Sequence, residues 1–213
     1  MEKKLKKSIL ITGISSGIGE ALVKRFISEG FFVFGSIRDK GASKSLEEKY
    51  GERFFPIVFD VTKRSEIEKA FSKVKSKLNG ENLDILVNNA GIAKLGPVEH
   101  INQEEFSQHL DTMVVGAFNC VQVFLPLLGT ANKNQKPGKI INISSGGGTI
   151  GQPFMSAYCT SKHALEGFSE SLRRELMMYK IDVIIVAPRS FKTPIWVKSN
   201  IDERVLLFGK TNY

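Results

Sequence analysis

The chain has 213 residues, 42% hydrophobic and 24% charged, which suits one globular domain with a full core. Lys and Arg exceed Asp and Glu (30 − 22 = +8), but apart from an N-terminal cluster they are dispersed. That pattern argues against a nucleic-acid partner and for a basic protein with a small anionic ligand.

Ser8 to Thr12 reads as a short buried strand. Gly13-Ile14-Ser15-Ser16-Gly17-Ile18-Gly19 is a glycine turn, and Glu20 to Glu29 a helix stopped by Gly30. Phe31 to Ser36 is a second strand, Ser43 to Tyr50 a short helix, and Phe54 to Phe59 a third strand. A helix runs to Leu78, with Ser65 as its cap and Glu68 placed for a capping box. Leu83 to Asn88 is the fourth strand. Gln103 to Leu128 carries a long helical pattern with a bend expected at Pro126. Lys139 to Ile143, Ser156 to Tyr179 and Ile181 to Ala187 complete the series as strand, helix and strand.

Strands alternate with helices, and the strands are continuous apolar runs. Both features predict a doubly wound α/β fold, a parallel sheet covered on both faces. Ligands of such a sheet bind at the carboxyl ends of its strands. No apolar run reaches the ~18–20 residues of a membrane span, and no signal peptide is visible. Cys120 and Cys159 form neither a disulfide framework nor a metal-ligand spacing, so a reducing cytoplasm is the expected compartment, and Cys159, directly after Tyr158, reads as packing. His100 and His109 read as surface or packing residues, and no cluster suggests a metal.

Chemistry concentrates where the crevice should lie. Glycines at 13, 17 and 19 let a backbone approach a phosphate, and the following helix N-terminus attracts its charge. The second strand ends Ser36-Ile37-Arg38-Asp39. Ile37 stands where an acid would meet a free ribose 2′-hydroxyl, and Arg38 follows it. A guanidinium suits a 2′-phosphate, with Ser15 adding a hydroxyl; a surface pair between Arg38 and Asp39 is the alternative. Asp60, Asn88 to Gly91 and Ser144 to Gly148 end the next three strands. Tyr158 and Lys162 stand four residues apart and share a helix face. A close ammonium is expected to lower the phenol's pKa from about 10 toward the working range.

In Thr12 to Gly19, Asp60, Asn88-Asn89-Ala90-Gly91, Ser145 and Tyr158-x-x-x-Lys162 the chain resembles the short-chain dehydrogenase/reductase family, of the single Rossmann-domain type. It is most similar there to the NADP(H)-preferring 17β-hydroxysteroid and retinol dehydrogenase branch. The resemblance implies hydride transfer between the nicotinamide of NADP(H) and a small, lipophilic carbonyl or secondary alcohol. It implies Tyr158 as general acid/base, Lys162 as the residue that lowers its pKa and holds a ribose, and Ser145 as hydrogen-bond partner of the substrate oxygen. It places Gly13, Ser15, Ser16, Gly17, Ile18, Gly19, Arg38, Asp60, Val61, Asn88, Ala90, Gly91, Pro188 and Thr193 along the cofactor. Homo-oligomerisation is left open.

The chain departs from the family pattern at Met113, where the family carries an Asn that serves its proton relay, and at Arg189, where Gly is expected after Pro188. Residues 189–213 read as part of a substrate-covering segment of this one domain, which ends short of the family's usual length. These departures motivate a second expectation, an NADP(H)-binding sensor or interaction protein with little catalysis. Gly146 to Gly148, Phe154 and Trp196 suggest a roomy apolar substrate pocket.

Overall fold

A computed structural model describes residues 7–131, 136–189 and 194–195. Six strands form one sheet: β1 (Ser8–Ile11), β2 (Phe32–Ile37), β3 (Phe54–Val58), β4 (Ile85–Asn88), β5 (Lys139–Ile143) and β6 (Asp182–Val186). They lie in the order β3-β2-β1-β4-β5-β6, and every pairing is parallel. Between them run α1 (Gly17–Ser28), α2 (Ser43–Tyr50), α3 (Arg64–Leu78), α4 (Gln103–Leu110), α5 (Gly116–Phe124) and α6 (Ser156–Leu176). The strand order reverses between β1 and β4, so a crevice opens above their carboxyl ends.

The continuous apolar strands have the expected cause. Alternate residues of β1 to β5 enter two separate cores, and β6 reaches the first through Val183. Leu10, Phe34, Ile57, Leu86, Ile140 and Val183 pack with residues of α3, α5 and α6. Ile9, Ile11, Val33, Ile37, Val87 and Ile143 form the second core, under α1 and α2. Each such fully buried side chain stabilises the fold by about 1.5–3 kcal/mol. Among the described residues β6 is an edge strand, and its Ile184 and Val186 remain partly exposed. Cys120 is fully buried in the first core, where loss of solvent pushes its thiol up to about 12.

Two helical details differ from the sequence reading. Ser65 and Glu68 do not form a capping box. The N-cap of α3 is Lys63 with no side-chain bond, and Glu66 instead reaches back to accept the Asp60 amide at 2.8 Å. The stretch Gln103–Leu128 tightens into a 3-10 helix over Leu125–Leu128, around Pro126, and widens earlier into a π-type turn over Asp111–Val115. By length and composition this stretch is apolar enough to cross a membrane, which the sequence reading did not anticipate. Half of its most apolar window is buried inside the protein, as in a core helix.

Candidate active site

The glycine turn is held by its neighbours. Gly13 and Gly17 have φ of +70° and +61°, the left-handed region that glycine enters cheaply. The Gly13 amide donates to Ser36 Oγ at 3.1 Å. Asn89 Nδ2 donates to the carbonyls of Thr12 at 2.8 Å and Gly13 at 3.0 Å. A Cβ on Gly19 would stand 2.3 Å from the Gly13 carbonyl oxygen, so backbone packs on backbone here. No side chain caps the N-terminus of α1, which leaves its first amides facing the crevice mouth for an anion.

This turn forms one end of a cleft of about 980 Å³, at the upper end of the usual range for ligand sites. Ser15, Ser16, Gly17, Ile18, Gly19, Arg38, Asp60, Val61, Ala90 and Gly91 all line it, as do Ser145, Tyr158, Lys162 and Pro188. Arg38 is exposed and forms no ion pair with Asp39; the Asp39 carboxylate accepts the Gly41 amide at 2.8 Å instead. Asp60 Oδ1 accepts from the amide of Thr62 at 2.9 Å and from its hydroxyl at 2.8 Å, which fixes the loop under Val61. Thr193 and Trp196 lie outside the described residues.

Ser145, Tyr158 and Lys162 converge at the other end. The Ser145 side chain accepts the Gly147 amide at 3.2 Å and hydrogen-bonds the Tyr158 phenol. Lys162 is buried, stands 5.7 Å from the Tyr158 ring centroid, and donates to the Ile143 carbonyl at 2.7 Å.

The electrostatics of this pair correct the sequence reading. Burial raises the Tyr158 pKa, the Ser145 hydrogen bond pulls it back, and Cys159 adds a smaller upward push. Lys162 does not lower it. Burial drives Lys162 itself down to about 8, against a weaker upward pull from Glu166. Helical spacing brought the two residues together, but loss of solvent dominates their titration.

The short chain dehydrogenase profile matches residues 7–204. The chain belongs to the short-chain dehydrogenase family. It is 40% identical over 190 residues to the NADPH-dependent 3-dehydrocapnine reductase of Ornithobacterium rhinotracheale, covering 89% of this chain and 67% of that protein. It is 35% identical to estradiol 17-beta-dehydrogenase 2 of Mus musculus over 205 residues, 94% of this chain and 52% of that one. The crystal structure of 3-ketoacyl-(acyl-carrier-protein) reductase from Brucella melitensis complexed with NADH superposes with a TM-score of 0.83 at 29% identity, covering 92% and 80%. The chain therefore spans 67% of the first of these relatives and about half of the second. The cleft of this short-chain dehydrogenase is one for a nicotinamide dinucleotide, and the close-packed glycine turn, with no room for a Cβ at Gly19, fits such a group.

Against the family pattern, Met113 is buried within the π-type turn, where the Gly116 amide bonds back to the Asp111 carbonyl. The helix widens there without the family's Asn. Gly116 makes room for it: a Cβ at that position would lie 2.7 Å from Val61 Cγ2. Asn88 is a second correction. It does not line the main cleft; its Nδ2 donates to Asn142 Oδ1 at 2.8 Å, and Asn142 Nδ2 donates to Ser169 Oγ at 2.7 Å. It ties β4 to β5 and α6 beneath the site. The neighbouring Asn89 does line the cleft, and the sequence reading gave it no role of its own. Its identity as a turn lock was visible only once Thr12 and Gly13 were seen beside it. Phe154 is half exposed at φ +64° and does not line the cleft, whereas Gly146 and Gly147 do.

The depressed Lys162 has a thermodynamic consequence. Between pH 8 and 9 the folded lysine is largely neutral, while the unfolded one, near 10.5, keeps its proton. The unfolded state then binds more protons, so stability rises with pH. Across that unit the protein without cofactor should gain about 1 kcal/mol in urea unfolding, and Lys162→Met should remove the gain. The raised Cys120 acts in the opposite sense from about pH 8, as the unfolded thiol near 9 begins to titrate, so the readout is the difference between the wild-type and Lys162→Met slopes, in which Cys120 cancels. An identical slope in the variant would show that Lys162 does not titrate as its burial demands.

Proposed function

We propose that this chain is an NADP(H)-dependent oxidoreductase that moves a hydride between the nicotinamide and a carbonyl or secondary alcohol, with Tyr158 as general acid/base. The observation that carries this reading is the hydrogen-bonded Ser145–Tyr158 pair in the wall of the cleft that also holds the glycine turn and Arg38. When bound, the dinucleotide supplies or accepts the hydride. The protein's residues position and protonate. Ser145 and Tyr158 present two hydroxyls to one substrate oxygen, and Tyr158 gives or takes the proton there. Lys162, anchored on the Ile143 carbonyl, keeps a positive charge near the phenol below pH 8. The small, apolar-bodied substrate lies against Gly146, Gly147, Ile150 and Met155, and the protein works in the cytoplasm.

Arg38 at the end of β2 supports NADP(H) over NAD(H), as does the name of the Ornithobacterium relative. Hydrogen bonds to charged groups contribute about 1.5–3 kcal/mol. Arg38→Ala should therefore weaken NADPH binding about 10–100-fold in a fluorescence titration and change NADH by less than about threefold. Equal losses for the two would remove Arg38 from the 2′-phosphate.

The direct test is NADPH oxidation against a panel of ketones, aldehydes and steroids. Turnover of a carbonyl that depends on Tyr158 is expected. Met113, buried where the family's relay needs an Asn, favours a second reading: a nucleotide-binding sensor or interaction protein with little catalysis. Tight NADPH binding with no turnover across the panel would select it.

A further inference from the structure

One cation at the substrate end of the cleft has no task in the mechanism above. Arg189 follows Pro188, whose carbonyl accepts the Gly146 amide at 3.0 Å. The Arg189 Cγ lies 3.8 Å from where a Cβ on Gly146 would sit, so the arginine stem runs over the backbone beside Ser145. The residue is exposed, lines the cleft, and makes no ion pair among the described residues. Its φ is not in the left-handed region, so replacing the family's Gly costs no backbone strain.

The surrounding charges do not cancel it. Of the other cations near this end, Lys162 is anchored on the Ile143 carbonyl at 2.7 Å, and Lys94 is offset by Glu105 Oε1 at 3.4 Å and donates to Gln108 Oε1 at 3.4 Å. Among the described residues the one acid that lines the cleft is Asp60, at the nucleotide end, and Thr62 occupies its Oδ1. Ile150, Met155 and Ile195 supply apolar wall around the remaining space. A guanidinium is weakly hydrated and forks onto a carboxylate or phosphate, most strongly in a partly desolvated cleft.

The geometry points to a substrate with an anionic group close to its reacting carbonyl and an apolar body beyond it, selected by Arg189. This rests on the reductase reading above and names its substrate class. Arg189 grips the anion while Ser145 and Tyr158 hold the carbonyl oxygen; the apolar remainder lies on Ile150, Met155 and Ile195. The Gly of the family pattern would leave this charge unmatched.

The test compares a medium-chain straight β-keto acid with its methyl ester under saturating NADPH, in wild type, Arg189→Met and Tyr158→Phe. Wild type should favour the acid, and Arg189→Met should lower the acid-to-ester ratio of kcat/KM about 10–100-fold, mainly through KM. The dissociation constant of NADPH should change by less than about threefold. An unchanged ratio overturns the inference, and so does a matching loss of NADPH binding, which would assign Arg189 to a cofactor phosphate. Tyr158→Phe separates the two failures: turnover that survives it removes Tyr158 as the acid/base of the reading above, whatever Arg189 does. If neither probe is turned over, calorimetric binding of the two probes to the NADP⁺ complex decides. Preference for the acid that vanishes in Arg189→Met supports the inference, and no preference overturns it.

Discussion

Tyr158→Phe should lower kcat for carbonyl reduction by about 10²–10⁴-fold, the range that a positioned proton donor contributes. Its effect on NADPH affinity should stay within about threefold. The phenol oxygen is the atom removed; the ring, packed with Ala93, Met113 and Cys159, is kept. Stability should fall by about 1 kcal/mol, the net worth of one hydrogen bond with Ser145. The pH profile sharpens the test. Burial raises the phenol, so in the protein alone Tyr158 stays protonated through neutral pH and is poised as an acid, the form reduction requires. Oxidation of an alcohol needs the phenolate and should gain rate toward alkaline pH. Undiminished turnover by Tyr158→Phe, measured with the carbonyl that wild type reduces best, would remove the phenol from the chemistry.

The parts of this molecule that were legible in its sequence are those decided locally or by repetition. The strand Lys139–Ile143 appears as read, because an apolar run bounded by Gly138 and a Ser-Gly stretch leaves little choice. The order of polar strand ends at Gly13, Asp60, Asn89 and Ser145 placed the crevice, since a parallel sheet brings all its carboxyl ends to one edge. What failed depended on contacts between distant segments. Asn88 looked like a cofactor residue because it begins the Asn-Asn-Ala-Gly run. Its side chain turns instead to Asn142, 54 positions away. At the start of α3 the carboxylate that reaches back is Glu66, not Glu68, and it accepts the Asp60 amide, a contact outside the helix that spacing alone does not show. The Tyr158 titration was misjudged for a related reason. The i, i+4 spacing gives the separation from Lys162 but not how much water the packed helix excludes from both.

The glycine turn offers the sharpest use of those contacts, because one substitution should have opposite signs at two helical positions. Gly→Ala within a helix ordinarily stabilises by about 0.5–1 kcal/mol, through reduced freedom of the unfolded chain. Gly167 in α6 is exposed, and a Cβ there meets nothing within 4 Å, so Gly167→Ala should show that gain. At Gly19 in α1 the same Cβ would stand 2.3 Å from the Gly13 carbonyl and 2.6 Å from Asn89 Nδ2. One obstacle is backbone; the other is the side chain that donates to the Thr12 and Gly13 carbonyls. Neither can yield without opening the turn, and overpacking of this kind costs about 1–3 kcal/mol or more. That exceeds the propensity gain, so Gly19→Ala should lose about 1–3 kcal/mol in urea unfolding. The same displacement pulls the α1 amides from the cleft floor, so NADPH affinity should fall by more than about tenfold, in excess of what any change in stability produces. A folded Gly19→Ala protein that binds NADPH as wild type does would mean that the dinucleotide does not lie on this turn. With it would go the assignment of Arg38 to the 2′-phosphate, which depends on the same seat.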